Sequence, residues 1–265
     1  DTALQFGSKM QLSYNVENTQ RAIGTRLSSH IVRKFGMTGL PEKHISVRLR
    51  GTAGQSLGAF ATQGLRLEVI GDANDYVGKG LSGGTIIVRP SAAAAFVAHE
   101  NTIIGNTVLY GATSGNLFAA GQAGERLCVR NSGATAVVEG AGTNACEYMT
   151  GGRVVILGEV GDNFGAGMTG GMAFVYNPDG QFMDRVNLES LQVVRIGTSH
   201  WEAELKGLVE AHVEATDSAL AARLLNEWDV EIGKFWQVVP TEIVPRLEMP
   251  LSDEEGAAAD VGTPA

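Results

Sequence analysis

The sequence has 265 residues, a hydrophobic fraction of 44% and a formal net charge of −9. This length allows one large domain or two small ones. The acidic balance, without a cluster of lysine and arginine, argues against nucleic acid and anionic membranes as partners. No apolar run approaches the roughly 20 residues that a membrane-spanning helix needs.

The N-terminal part of the chain predicts one helix. Residues 1–16 show no clear pattern, and we expect them to be irregular. Between residues 20 and 35, apolar residues recur every four positions, and Gly36 supplies a stop. These residues are Ile23, Leu27, Ile31 and Phe35. We therefore expect residues 1–44 to form an N-terminal segment whose helix caps the part that follows.

A repeat dominates the middle of the chain. The string Gly78-Lys79-Gly80-Leu81-Ser82-Gly83-Gly84 recurs 87 positions later as Gly165-Ala166-Gly167-Met168-Thr169-Gly170-Gly171. A partial copy contains Thr150-Gly151-Gly152, and a degenerate copy spans residues 121–129. Each copy leads into a short apolar run. Self-similarity of this kind is typical of a repetitive architecture.

The apolar runs follow one another at a nearly constant interval. Their centres are Leu67, Ile87, Val108, Cys128, Val155 and Phe174, with differences of 20, 21, 20, 27 and 19 residues. Short strands at such a spacing, joined by glycine turns, predict a solenoid in which these six residues stack in one interior column.

The predicted fold class is therefore an all-β solenoid, a right-handed parallel β-helix of about six to seven coils, with helical segments at both ends. We expect the β-helix to span residues 45–195. Apolar residues at helical spacing then predict a C-terminal helical segment over 196–250, with a helix capped near Ser218. The acidic and Ala/Gly/Pro-rich residues 251–265 are expected to be a disordered tail.

Glycines are predicted to form the corners of this solenoid, because tight corners need a positive φ that disfavours residues with a Cβ. The corner residues are Gly78, Gly80, Gly83, Gly84, Gly151, Gly152, Gly165, Gly167, Gly170 and Gly171. The strings at residues 78–83 and 165–170 also match G-x-G-x-x-G. A dinucleotide site needs a helix after those glycines, whereas a strand follows here, so we favour the corner interpretation.

The sequence assigns no catalytic, cofactor-binding or metal-binding residue. Asp72, Asn74 and Asp75 with Tyr76 and Lys79 resemble an acid–base cluster, but Asp and Asn commonly bond their own backbone in turns. His99-Glu100 lacks metal-ligand spacing, and the five histidines are dispersed.

Two cysteines limit the redox chemistry further. Cys128 and Cys146 cannot hold an iron–sulfur cluster by themselves, and no histidine lies near Cys146 in the sequence to activate it as a nucleophile. Without a disulfide pattern, a reducing cytoplasm is the expected location.

Several strings resemble one known family. They are Gly51-Thr52-Ala53-Gly54-Gln55-Ser56-Leu57-Gly58-Ala59-Phe60, Gly71-Asp72-Ala73-Asn74-Asp75-Tyr76-Val77-Gly78-Lys79-Gly80, Val129-Arg130-Asn131-Ser132-Gly133-Ala134 and Cys146-Glu147-Tyr148-Met149-Thr150-Gly151-Gly152. Over residues 10–240 the chain resembles the C-terminal GXGXG domain of the glutamate synthase large (α) subunit. One departure is Gly142-Thr143-Asn144-Ala145, where relatives usually carry Asp-His-Gly before the cysteine.

The resemblance implies a non-catalytic structural domain of an oxidoreductase that converts glutamine and 2-oxoglutarate into two glutamates. FMN and an iron–sulfur cluster would belong to the parent enzyme and not to this chain. The implied partners are the amidotransferase, central and FMN-binding domains of the same subunit, and a small NADPH-oxidising β subunit. Because the chain begins at Asp1 without methionine, we expect an excised piece of a longer protein.

A second hypothesis remains open. The chain could be a free-standing β-helix that binds a ligand or a protein, similar to a subunit of formylmethanofuran dehydrogenase. Such binders commonly stack aromatic residues on one sheet, but aromatic residues make up only 6% here and do not recur at the repeat interval. The structural-domain hypothesis is therefore preferred.

Overall fold

The computed structural model describes residues 8–252, and its strands form one sheet. The strands are β1 Met10–Val16, β2 Ile45–Ala53, β3 Leu65–Ala73, β4 Ser82–Arg89, β5 Thr102–Ile104, β6 Ser114–Ala119, β7 Gln122–Ala123, β8 Ser132–Val138, β9 Thr150–Ile156, β10 Gly170–Tyr176, β11 Leu191–Arg195 and β12 Phe235–Pro240. The order across the sheet is β1-β2-β3-β4-β6-β8-β9-β10-β12-β11, with the short β5 and β7 alongside.

Five α-helices accompany the sheet within the described residues: α1 Thr25–Phe35, α2 Phe182–Arg185, α3 Ser199–Thr216, α4 Ala219–Asn226 and α5 Trp228–Glu231. Four 3₁₀ turns lie at Gly36–Thr38, Ala98–Glu100, Ile232–Lys234 and Thr241–Arg246. Thr198 caps α3 by accepting a hydrogen bond from the Trp201 amide, and Ser218 caps α4. Between residues 8 and 252, the helices are all too short or too polar to cross a membrane.

The predicted all-β solenoid, a right-handed parallel β-helix, is wrong. The strands form one mixed sheet in which β12 pairs antiparallel with both β10 and β11, and helices α3–α5 pack against one of its faces. The interval of about 20 residues does reflect parallel neighbours, since Leu67 lies beside Ile86. A constant interval between parallel strands carries no information about antiparallel strands and helices that follow later in the chain.

The predicted single column of apolar residues divides between two cores. Ile87, Val155 and Phe174 belong to a core shared with α3–α5, together with Phe118 and Val137. These five residues are register neighbours across β4, β6, β8, β9 and β10.

The other three residues, Leu67, Val108 and Cys128, lie in the core on the opposite face. Successive residues of a strand point to opposite faces of the sheet, so moving one position along a strand changes the core that a side chain enters. Strands that are buried on both faces are apolar at most positions, and the sequence therefore does not show which apolar residue points to which face.

Three further differences concern the chain ends. Residues 10–16, expected to be irregular, form the edge strand β1, whose alternation of apolar and polar residues fits a half-buried strand. The predicted helical segment 196–250 contains the strand β12. Of the predicted tail, only Leu251 and Ser252 are described: Leu251 is buried and Ser252 forms a β-bridge with Gly197. The remaining tail residues lie outside the described residues.

Candidate functional site

Six loops between the strands share one backbone conformation. In each, the first, third and fifth residues are left-handed, with φ between 53° and 71°. The loops are Ser56–Phe60, Tyr76–Gly80, Thr107–Gly111, Arg126–Arg130, Asn144–Tyr148 and Asn163–Gly167. We call these six loops the loop stack. Residues other than glycine rarely adopt the left-handed conformation, and here they do so at alternating positions. Contacts with the surrounding structure must therefore offset the energy cost of this conformation.

Backbone hydrogen bonds between the loops supply that support. The third residue of a loop donates its amide to the preceding loop, as Cys128 does to Val108 at 2.8 Å and Cys146 does to Leu127 at 2.7 Å. The first residue donates in the other direction, as Asn144 does to Asp162 at 2.9 Å. Each of the four inner loops is therefore bonded to both neighbouring loops, and the backbone groups of these loops are paired with one another.

The predicted glycine corners fall into two groups. Gly78, Gly80, Gly165 and Gly167 occupy the third and fifth positions of the loop stack. The others lie at the beginnings of strands: they are Gly83, Gly84, Gly151, Gly152, Gly170 and Gly171. Gly83, Gly152 and Gly171 also have positive φ. A Cβ at Gly151 or Gly170 would lie within 3 Å of the backbone of a neighbouring strand, and a Cβ at Gly84 would lie 2.9 Å from the Ala61 side chain.

Most left-handed positions of the loop stack carry side chains, which the sequence prediction missed. Leu109, Cys128 and Cys146 occupy the third position, where other loops have glycine. The left-handed conformation costs each of these residues roughly 1–2 kcal/mol relative to the right-handed helical conformation. The signal that would have revealed these loops is the buried apolar residue at their second position. These residues are Leu57, Val77, Val108, Leu127, Ala145 and Phe164.

Residues 72–79, for which the sequence favours a turn over an acid–base cluster, run from the end of β3 into a loop. The Asn74 side-chain oxygen accepts from the Asp75 amide at 2.7 Å. Asp75 Oδ1 accepts from the Asn106 amide of the next loop at 2.8 Å. Lys79 lies 5.7 Å from the centre of the Tyr76 ring, and Asp72 is exposed. These contacts fix the backbone, and they do not bring two carboxylates together for proton transfer.

The two cysteines are adjacent in the loop stack. Both side chains are fully buried. Burial raises the pKa of the Cys146 thiol far above its ordinary value. Burial, and in second place the neighbouring Cys146, raises the pKa of the Cys128 thiol. The thiolate is the reactive form of cysteine, so this environment opposes a role as nucleophile or metal ligand.

We expect both native thiols to resist 5,5′-dithiobis(2-nitrobenzoate), and both to react once the chain is unfolded in guanidinium chloride. Burial and the raised pKa both deplete accessible thiolate. A Ser91→Cys variant is the control, because Ser91 is exposed and should add one rapidly reacting thiol. Rapid modification of Cys146 in the folded wild-type chain would contradict this prediction.

A buried polar cluster joins the helices to the sheet. Glu139, directly after β8, is only 2% exposed, and its Oε1 accepts from the Ser218 hydroxyl. His212 Nε2 lies 3.4 Å from the same oxygen. His212 and Ser218 are also buried. The carboxylate lies between the hydroxyl and the imidazole, so the imidazole cannot activate the serine as a nucleophile.

A second polar contact links β10 to α5. The Tyr176 hydroxyl donates to Glu231 Oε2 at 2.5 Å, and Lys234 lies 2.9 Å from that carboxylate. Burial, followed by the hydrogen bond to Glu231, raises the pKa of Tyr176 to about 12. Burial alone would raise the pKa of Glu231, but hydrogen bonds from Tyr176 and Lys234 and nearby positive charge lower it. The pair is therefore a fixed structural contact.

No group of three or more His, Cys, Asp or Glu side chains suited to a metal ion occurs within residues 8–252. His99 and Glu100 lie in a 3₁₀ turn and are not joined by a third ligand there. What repeats along the molecule is the loop stack, in which residues with special backbone conformations alternate with buried apolar residues.

A family model described as "GXGXG motif" matches residues 1–241. The chain belongs to the GXGXG family. The alternating glycines of that name correspond in this structure to alternating left-handed positions, such as Gly78 and Gly80. The family pattern therefore describes the conformation of a loop. Each loop is followed by a strand, so these glycines do not precede a helix as they would in a dinucleotide-binding site.

Relatives of this GXGXG chain are glutamate synthases. The glutamate synthase large chain (NADPH) of Azospirillum brasilense is 65% identical over 254 residues, covering 96% of this chain and 17% of the relative. Ferredoxin-dependent glutamate synthase 2 of Synechocystis is 51% identical over 86% of this chain and 15% of the relative. Glutamate synthase (NADH) of Schizosaccharomyces pombe is 45% identical over 97% of this chain and 12% of the relative.

These matches confirm the resemblance to the GXGXG domain of the glutamate synthase large chain. The chain spans less than a fifth of the length of these relatives. The departure at residues 142–145 places Asn144 at the first left-handed position of its loop, with φ of 61°. Asparagine enters this region more easily than most residues, so the loop keeps its shape without the usual string.

Proposed function

We propose that this chain is a non-catalytic structural domain of a glutamate synthase, which converts glutamine and 2-oxoglutarate into two glutamates. The supporting observation is its 65% identity, over 96% of its length, to 17% of a glutamate synthase large chain. The domain would hold an amidotransferase domain and an FMN-binding synthase domain at a fixed distance, so that ammonia released at one is used at the other.

The loop stack supports this role. Its loops are bonded to one another by backbone hydrogen bonds, and parallel strands of the same sheet connect them. A continuous backbone network deforms little, because displacing one loop breaks hydrogen bonds to both neighbours. Such a unit transmits position between distant surfaces, which is what two domains sharing an intermediate require.

The residues of this chain do not fit the cofactors of the proposed parent enzyme. The sequence has two cysteines, both buried, and a cluster needs more thiolates than two. The glycine loops lead into strands, whereas a helix N-terminus is the usual site for a flavin phosphate. FMN and an iron–sulfur cluster are therefore proposed for other domains of the parent enzyme.

The proposed partners are the amidotransferase, central and FMN-binding domains, together with a small NADPH-oxidising β subunit in the cytoplasm. The NADPH-type relative is 65% identical, against 51% for the ferredoxin-dependent relative of Synechocystis, which favours NADPH. The alternative of a free-standing binding subunit is less favoured, because these relatives carry the segment inside a much longer chain.

Measuring the two half-reactions separately in the full-length enzyme tests this proposal. Alanine substitutions at Asp75, Lys79 and Glu147 should leave the intrinsic rates of glutamine hydrolysis and of ammonia-dependent glutamate formation unchanged. Any loss should appear in assembly or in the ratio of glutamate formed to glutamine hydrolysed. A large fall in one intrinsic rate, in a variant that folds and assembles, would show that the domain contributes a catalytic residue.

A further inference from the structure

A small cavity of about 200 Å³ lies over strands β1, β2 and β3. Arg48 and Glu68 in its wall are register partners, and Glu68 is in turn the partner of Ile87, which belongs to the core beneath α3. The cavity therefore opens on the face of the sheet that the helices cover farther along. At β1–β3 this face carries polar and charged side chains instead of a core.

Two guanidinium groups meet in this cavity. Arg48 Nη2 lies 3.1 Å and Arg66 Nη1 lies 3.8 Å from the same atom, Glu68 Oε2, so the two groups are adjacent. The Glu68 side chain is only 6% exposed, whereas those of Arg48 and Arg66 are 49% and 27% exposed. The carboxylate thus lies beneath the two guanidinium groups, which remain accessible from solvent.

Several donors in this wall are not engaged elsewhere. Arg66 reaches Glu68 only at 3.8 Å, which is beyond hydrogen-bond distance, and its guanidinium group has no other polar contact within residues 8–252. The same holds for the side-chain hydrogen bonds of Gln11 and Ser46. Gln11, Ser46 and Arg66 are register neighbours on β1, β2 and β3, about 4.8 Å apart. The free donors therefore form one contiguous row.

The cavity is locally positive on a chain whose formal net charge is −9. Among the described residues, Glu68 is the only acidic residue in its wall. A third guanidinium group, that of Arg89, lies 3.2 Å from Glu68 Oε1 and is itself offset by Asp217 at 3.3 Å. Arg50, which donates to Ser13 Oγ at 2.8 Å, adds a further positive charge. These arginines are far apart in the sequence, and the parallel register brings them together.

We propose that this cavity binds an oxyanion, a carboxylate or a phosphate group, between the Arg48 and Arg66 guanidinium groups, with Ser46 as a further donor. A planar guanidinium group offers paired N–H donors that match two oxygens of such a group. Glu68 holds Arg48 in place before the anion arrives, so less side-chain freedom is lost on binding. This inference does not depend on the proposed function.

Nuclear magnetic resonance titration of the ¹⁵N-labelled chain tests the inference. Inorganic phosphate or acetate replaces sodium chloride at constant ionic strength, so that general screening does not change. The side-chain Nε–Hε resonances of Arg48 and Arg66 and the amide resonance of Ser46 should shift in a saturable way. Saturation by acetate alone would assign the site to carboxylates, and saturation by phosphate alone would assign it to phosphate groups.

Three variants complete the test. Arg66→Gln should weaken binding about tenfold or more, because it removes a charged donor, and it breaks no hydrogen bond of the fold. Ser46→Ala leaves the charge unchanged and should weaken binding several-fold. Arg33→Gln is the matched control: Arg33 is exposed on α1, whose Ile31 packs into the core on the opposite face, so the same loss of charge should leave binding unchanged.

Two results would overturn the inference. A lack of saturable shifts with either anion would mean that Arg66 serves only as a further partner of Glu68. Equal weakening by Arg33→Gln and Arg66→Gln would mean that the net charge of the chain, and not this cavity, accounts for the shifts.

Discussion

Replacing Gly170 with alanine is expected to destabilise the chain by about 3 kcal/mol or more, at the upper end of the cost of overpacking. A Cβ at Gly170 would lie 2.1 Å from the Thr150 carbonyl oxygen and 2.7 Å from its carbon. Both atoms belong to the backbone of the neighbouring strand β9, so the clash cannot be relieved by turning a side chain. Relief requires the two strands to separate locally.

Gly111→Ala is the matched control for this prediction. Gly111 has φ of +62°, and a Cβ there would meet nothing within 4 Å. Its substitution should therefore cost only the left-handed conformation, about 1–2 kcal/mol. Urea denaturation midpoints at a constant m-value measure both variants. If Gly111→Ala were as destabilising as Gly170→Ala, conformation and not contact between strands would be the dominant cost at these glycines.

Trp201→Ala should be comparably damaging, with a loss of about 3–5 kcal/mol. Trp201 lies in the first turn of α3, is 2% exposed and belongs to the core between the helices and the sheet. Its indole N–H donates to the Pro250 carbonyl at 2.9 Å, so the same ring also holds the end of the described chain. Truncation would remove the packing and the hydrogen bond together, and leave a large void.

Trp201→Phe separates these two contributions. Phenylalanine keeps most of the packing but cannot donate to Pro250, so we expect a cost of about 1–2 kcal/mol. Thermal or urea unfolding of both variants, with hydrogen exchange of the Ser252 amide as a local measure, tests this division. Equal losses for the two variants would mean that the hydrogen bond to Pro250, and not burial of the ring, anchors α3.

Local patterns in the sequence could predict much of this chain. The intervals of about 20 residues indicate strands that run parallel, and Leu67 beside Ile86 is one such pair. The recurring strings at residues 78–84 and 165–171 indicate equivalent loops, and their alternating glycines identify the family. These features depend on residues close in the chain, where a required φ or a buried position acts directly on residue type.

Glycine proved an incomplete marker of the loop stack. Leu109, Cys128 and Cys146 adopt the same left-handed conformation as Gly78 and Gly165. The conformation is stabilised by hydrogen bonds to neighbouring loops, and a sequence pattern that tracks intrinsic preference does not report those bonds.

What the sequence by itself determined, therefore, is the repeat, the family and the absence of a recognisable catalytic motif. Only the tertiary structure decided which face of the sheet each apolar residue occupies, because in strands buried on both sides every position is apolar. It also decided the antiparallel placement of β12 and the meeting of Glu139 with His212, which are 73 residues apart. Such long-range contacts are chosen by packing and by the need to pair buried polar groups, and neither leaves a local periodicity in the chain.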